Sequence, residues 1–218
     1  MALVAYYEGA APLSDRGLIC IGDRSYCILN PVGTSLVNAS IVLDRATVQA
    51  WKGRLEALFD GTLAGFPRAV TALAAMRRAG PVRCLGPLAY RAHRTAAAGS
   101  LLIGDAAGFY DPFTGEGIFH ALQSAEQAAQ LIAGILASDG PTRSLLARFD
   151  RRQRKALAAR ERLGGALQAI IRRPALANAF ARFLSRRPTF AELLMGVIGD
   201  LLPTRALLSS ESLRHFPR

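Results

Sequence analysis

The chain opens with short apolar runs separated by turn residues and then changes period. Residues 18–21, 25–29 and 35–43 are rich in β-branched or apolar side chains, with Gly22-Asp23 and Asn30-Pro31-Val32-Gly33 between them. Such runs predict strands, here an antiparallel meander within residues 1–43. Asp44 comes next, where a short carboxylate satisfies the free amides of a first helical turn. Val48, Trp51, Leu55, Leu58 and Phe59 then recur at helical spacing, which predicts a helix over 46–59 ended by Asp60-Gly61. Val70, Leu73 and Met76 predict a second helix over 67–79, stopped by Gly80-Pro81. Two helices beside a meander read either as a lid or substrate-facing subdomain, or as plain packing, the simpler reading for Trp51.

Residues 82–85 and 89–91 are short strand candidates. Ser100-Leu101-Leu102-Ile103-Gly104 is the kind of apolar run expected of a strand buried on both faces. It leads through Asp105 and a loop into a long helix starting near Gly117, with Ile118, Leu122, Ala125, Ala129, Ile132 and Leu136 on one face. Beyond Pro141 the pattern is helical. Arg151-Arg152-Gln153-Arg154-Lys155 lies in a helix whose apolar side is Leu146, Phe149, Leu157 and Leu163. Pro174, Pro188 and Pro203 divide the rest of the chain into further short helices.

Composition narrows the classes. At 51% hydrophobic and 20% charged residues, the chain has enough apolar surface to bury, which excludes a disordered protein. The net charge of +11 is uneven: residues 141–218 hold 16 basic and 5 acidic side chains, and the rest cancels. A uniform nucleic-acid-binding surface is therefore not expected. The run at 151–155 reads as a solvated helix face, or as a docking patch for a partner or a membrane surface. Cys20, Cys27 and Cys84 form no C-x-x-C pair, as expected of reduced intracellular thiols, and His93, His120 and His215 are too dispersed for a metal site. There is no signal-peptide pattern and no run of 18 apolar residues, so a cytoplasmic, at most membrane-peripheral, protein is expected.

The chemistry concentrates in Gly104-Asp105-Ala106-Ala107-Gly108-Phe109-Tyr110-Asp111-Pro112-Phe113-Thr114-Gly115-Glu116-Gly117. Asp105 ends an apolar strand candidate, where ligands of open α/β sheets bind, and a carboxylate there can accept hydrogen bonds from a polyol. The glycines allow close backbone approach to a flat or charged ligand. The helix starting at Gly117 aims its free amides at an anion. Phe109 and Tyr110 either shape a pocket or pack, and His120 reads as a helix histidine before a base. Arg91 and Arg94 either contact a phosphate or face solvent.

This stretch resembles the second flavin-binding motif, G-D-x6-P followed by G-x-G, of the para-hydroxybenzoate-hydroxylase-type flavoproteins. Six residues separate Asp105 from Pro112, and Gly115-Glu116-Gly117 comes after them. Within that superfamily the chain is most similar to geranylgeranyl-reductase-like enzymes. Ser25-Tyr26-Cys27-Ile28-Leu29-Asn30-Pro31 and Val37-Asn38-Ala39-Ser40 resemble their substrate-domain strands, with Asn30 where that family often has an aromatic residue. Arg187-Pro188 and Gly199-Asp200 resemble their C-terminal helices.

The resemblance implies an α+β chain, part of an α/β FAD-binding flavoprotein. It would comprise a partial substrate domain (1–99), the last strand and helix of the FAD domain (100–140) and a basic helical extension (141–218). It implies FAD as cofactor, held at Gly104, Asp105, Pro112, Gly115, Glu116, Gly117 and Ile118, with Asp105 on a ribityl hydroxyl and the others along the ring edge. The implied activity is reduction or monooxygenation of a small hydrophobic or prenyl-like substrate, with no catalytic residue singled out. The superfamily's G-x-G-x-x-G unit for the ADP half of FAD does not occur in these 218 residues. The chain thus reads as the C-terminal part of a flavoprotein, partnered by an N-terminal half. The alternative is a non-catalytic remnant that binds a partner or surface through its helical tail.

Overall fold

Seven residues of alternating burial, Ala2–Glu8, form a first strand, β1. The computed structural model describes residues 1–9, 16–51, 53–110, 112–137, 142–199, 201–202 and 206–207. Asp111, Pro141, Asp200, Pro203 and His215 lie outside them. The expected meander is present as β2 (Leu18–Ile21), β3 (Tyr26–Val32) and β4 (Leu36–Val42). The strands run β2-β3-β4-β1, all antiparallel, with Cys20 opposite Cys27, Leu29 opposite Ala39 and Ala5 opposite Ala39. One face of this sheet carries Leu3, Ala5, Tyr7, Cys27, Leu29, Val37, Ala39 and Ile41, all buried.

Three helices supply the other side of that core: α1 (Arg45–Ala50), α2 (Leu55–Leu63) and α3 (Pro67–Leu73). Asp44 caps α1 as expected, accepting from the Thr47 backbone N–H and its hydroxyl, both at 2.8 Å. Those bonds hold its carboxyl below the usual range. The single helix expected over 46–59 is two. The chain turns after Ala50, with the Arg54 guanidinium 5.0 Å over the Trp51 ring, and restarts at Leu55. α2 then passes through Asp60-Gly61 instead of ending there. An interior glycine costs about 1 kcal/mol, while burying Phe59 and Leu63 returns roughly 1.5–3 kcal/mol each. α3 stops at Leu73, short of the expected 79, because the sheet claims the next residues. Arg77–Arg78 form β5 against Tyr7 and Glu8, Ala79 donates to the Tyr6 carbonyl at 2.7 Å, and Arg78 pairs with Asp60 at 2.8 Å. β6 (Arg83–Leu85) pairs with the start of β1. Met1–Leu88, with Ala169–Ala177, makes one compact unit.

The second unit comprises Ala89–Gln168 and Asn178–Arg218. It opens with short ladders: β7 (Tyr90–Arg91), β8 (Ala96–Ala97), β9 (Ser100–Leu101) and β10 (Gly108–Phe109), with β8 paired to β9 and β10 to β7. The strand expected over 100–104, buried on both faces, is therefore a two-residue hairpin arm, and Ile103 is exposed. No parallel neighbour covers it among the described residues. The remaining helices are α4 (Gly117–Leu136), α5 (Thr142–Ile171), α6 (Pro174–Arg186) and α7 (Pro188–Ile198), the last two starting on the expected prolines.

α4 sits the opposite way round from expectation. Ile118, Leu122, Ile132 and Leu136 are 79%, 67%, 48% and 82% exposed, and its buried residues are His120, Ser124 and Ala128. The reason is local: Ser124 and Gln127 have hydrogen-bonding work on the inner side. The Gln127 amide oxygen accepts from the nearly fully buried Gln153 of α5 at 3.2 Å. Gln153 thus points inward from the basic run, while Arg151, Arg152, Arg154 and Lys155 are exposed.

Candidate functional site

The segment between β9 and α4 is folded by contacts to α4 and β7. Gly104 begins a single 3-10 turn, Gly104–Ala106, with φ at +52°. A Cβ there would sit 3.0 Å from that of Ala121, so both the backbone conformation and the close approach to α4 call for glycine. The Gly104 N–H donates to Ser124 Oγ at 2.8 Å, and that hydroxyl lies 2.7 Å from the His120 carbonyl. Downstream, Gly108 and Phe109 pair with Arg91 and Tyr90, and Ala92 N–H donates to the Ala107 carbonyl at 3.0 Å. A second 3-10 turn, Pro112–Thr114, delivers the chain to Gly115 (φ 74°), Glu116 at the N-cap and Gly117 as the first residue of α4. Among the described residues no side-chain cap bond to α4 is made, which leaves its first amides as donors for a ligand.

Five of the seven residues expected to hold a cofactor line one cavity: Asp105, Pro112, Gly115, Glu116 and Gly117. Gly104 is buried behind that wall, and Ile118 stands on the exposed face of α4. A Cβ on Gly117 would lie 3.9 Å from Asp105 Oδ1, and one on Gly115 would meet nothing within 4 Å. A carboxylate thus stands over bare backbone at the start of a 20-residue helix. That cradle fits a group with hydroxyls at one end and a flat, electron-rich edge at the other, as in the ribityl chain and ring of a flavin. Phe109, Tyr110 and His120 share the cavity. Of the two nearby arginines, Arg91 pairs with Glu161 at 3.2 Å and Arg94 is exposed.

The opposite wall belongs to α5, through Leu157, Arg160, Glu161 and Gly164. Sequence reasoning missed these residues, although their i, i+3, i+4, i+7 spacing marks one helix face. Arg160 Nε lies 3.5 Å from Glu116 Oε2, and a Cβ on Gly164 would meet the Tyr110 ring at 2.9 Å. The signal was present: two opposite charges on the apolar side of a helix beside a Gly-Gly pair.

Comparison with known proteins finds flavin enzymes among the chain's matches. The chain is 30% identical over 134 residues to digeranylgeranylglycerophospholipid reductase 1 of Methanococcoides burtonii, covering 62% of this chain and 31% of that one. The crystal structure of CmlS, a flavin-dependent halogenase, matches at TM-score 0.66 and 25% identity, over 71% of this chain and 29% of that one. These two matches support a place for the chain in the FAD-dependent oxidoreductase superfamily. Its mixed helix-and-sheet fold matches FAD-binding flavoprotein folds over most of the chain. The flavin-dependent brominase Bmp2 matches at TM-score 0.78 and 16% identity, over 91% of this chain and 49% of that one. A halogenase PltM variant in complex with FAD matches at TM-score 0.70 and 17% identity, over 98% and 46%. The chain thus spans about a third to a half of the length of these superfamily members. No family model matches it. Among the described residues no helix is long and apolar enough to cross a membrane.

Proposed function

We propose that the chain forms the ribityl- and ring-facing side of the FAD site in an oxidoreductase, a reductase or monooxygenase of a small hydrophobic or prenyl-like substrate. One observation carries this reading: Asp105 and the uncapped Gly115-Glu116-Gly117 turn face the same cavity. Bound FAD would supply the electron transfer. The protein's part is to hold it: Asp105 accepts from a ribityl hydroxyl, and the backbone of Pro112, Gly115, Glu116, Gly117 and Ile118 borders the ring. The amides of α4 favour negative charge there. Gly104 keeps Asp105 in place by letting the turn lie against α4. The similarity to a digeranylgeranylglycerophospholipid reductase, with Phe109, Tyr110, Phe113 and Leu157 around the cavity, supports an apolar substrate.

The ADP half of FAD is, on this reading, held by a segment outside these residues, in the same or another polypeptide. The exposed stripe of α4 fits such a partner, since four large apolar side chains in a row call for a cover. The experiment is to purify the chain alone, and fused behind the nucleotide-binding part of its reductase relative, and to measure bound flavin by visible absorption. Expected are little flavin alone and near-stoichiometric FAD in the fusion. Stoichiometric FAD on the lone chain overturns the need for a partner segment, and a colourless fusion that is folded overturns the flavin site itself.

A further inference from the structure

Glu116 occupies the N-cap of α4, yet its side chain makes no cap bond to that helix. It reaches across to α5, where Arg160 Nε lies 3.5 Å from Oε2, with the two side chains only 11% and 17% exposed. A nearly buried ion pair of that length is a poor device for stability, because desolvating two charges offsets most of their attraction. A well-packed apolar pair would serve stability as well. The contact does two other things. It ties the turn that borders the cavity to a second helix, and it sets a positive charge beside the carboxylate at the start of α4. The tie is part of a set: Leu157, Arg160, Glu161 and Gly164 all face the cavity, Glu161 takes Arg91 at 3.2 Å, and bare Gly164 admits the Tyr110 ring. These contacts bring one face of α5 against residues 91, 110 and 116.

We propose that Arg160 is a positioning residue of the flavin site, fixing the Gly115-Glu116-Gly117 turn and offsetting the Glu116 carboxylate where a reduced flavin ring gathers negative charge. This rests on the flavin reading above. Glu116 alone would oppose electrons arriving on the ring, and beside the Arg160 guanidinium it is close to neutral in its field. Arg160 touches neither cofactor nor substrate in this role and acts through Glu116.

The test compares wild-type, Arg160→Met, Arg160→Lys and the double variant Arg160→Met/Glu116→Gln, each in the FAD-loaded fusion. Two quantities are read: the FAD dissociation constant by fluorescence titration, and the ratio of reduced to oxidised flavin at a fixed dye potential. Arg160→Met is expected to lower that ratio by about threefold to tenfold, the size of one unit charge about 4 Å away when it is screened as in bulk water. Arg160→Lys should regain most of it, and so should the double variant, which removes the carboxylate that Arg160 offsets. A merely structural role would leave the ratio unchanged in Arg160→Met, or would not be rescued by Glu116→Gln, and either result overturns the inference. A wild-type fusion that binds no FAD sinks the flavin reading and this inference with it. Normal FAD binding with a reduced-to-oxidised ratio indifferent to Arg160 sinks the inference alone.

Discussion

Replacing Gly104 by alanine tests the architecture of the site without any cofactor. At φ +52° an L side chain is strained, at a cost of about 1–2 kcal/mol. The added methyl would lie 3.0 Å from Ala121 Cβ and 3.3 Å from its Cα. Neither atom can swing aside, because both belong to the body of α4, and overpacking of that kind costs roughly 1–3 kcal/mol more. Gly115 provides the control. Its φ of 74° carries the same backbone penalty, while nothing lies within 4 Å of a Cβ there. Gly115→Ala should therefore cost about 1–2 kcal/mol and Gly104→Ala about 2–5 kcal/mol. By thermal unfolding, at about 2–4 °C per kcal/mol, the second variant should melt several degrees below the first. Hydrogen exchange of the Gly104 amide, bonded to Ser124 Oγ at 2.8 Å, should rise only in Gly104→Ala. Equal melting points for the two variants, or an unchanged Gly104 amide, would refute the close approach of the Asp105 turn to α4.

Other consequences are as direct. Asp105→Ala in the FAD-loaded fusion should weaken flavin binding about tenfold to a hundredfold, the effect of losing one hydrogen bond to a charged acceptor, and an unchanged dissociation constant removes Asp105 from the site. Burial works against the Asp150 charge, but the Thr95 N–H at 2.7 Å, the Thr95 hydroxyl at 3.1 Å and Arg154 at 2.7 Å outweigh it and hold the carboxyl below its usual range. A depressed folded-state pKa gives stability that is present above the unfolded value and lost as pH falls through the folded one. Acid melting curves should therefore steepen below about pH 4 in wild-type and flatten in Asp150→Asn, and parallel curves would refute this. Burial, then the neighbouring Cys20, push the Cys27 thiol up to about 12, so at pH 8 its alkylation in the folded chain should be more than about a hundredfold slower than after unfolding. Reaction at the unfolded rate would place Cys27 outside the core. If the exposed Arg151, Arg152, Arg154 and Lys155 dock on a membrane, co-sedimentation with anionic vesicles should fall steeply toward physiological salt, where charges are screened within about 8 Å, and salt-insensitive pelleting would exclude it.

The features plain in the sequence were those that local rules decide. Asp44 caps its helix because a cap needs only the next three residues, and Thr47 supplies the amide. The 104–117 motif was legible because its glycines, proline and carboxylate answer to spacing along the chain. The early end of α3 was not legible, since it turns on a distant claim. Arg77 and Arg78 leave the α3 pattern because Tyr7 and Glu8, far back in the chain, offer a strand to pair with. No rule acting within a window of residues contains that competition.

α4 shows a deeper limit of pattern reading. Its 3.6-residue stripe of Ile118, Leu122, Ile132 and Leu136 correctly announced an amphipathic helix, and an amphipathic stripe says that something covers it without naming the cover. In α2 the cover is the chain's own sheet, and Leu58, Phe59 and Leu63 are buried. In α4 the inner side is taken by Ser124 holding Gly104 and by Gln127 holding Gln153, so the chain's own fold uses the polar stripe and leaves the apolar one outward. A buried polar stripe with its bonds placed is costly to turn over, because each broken bond leaves a desolvated group worth about 1–3 kcal/mol. Rolling α4 to hide its isoleucines and leucines would also pull Ser124 from Gly104 and release the Asp105 turn. The same hydrogen bonds that build the candidate site thus fix the apolar stripe outward, and the two features stand or fall together.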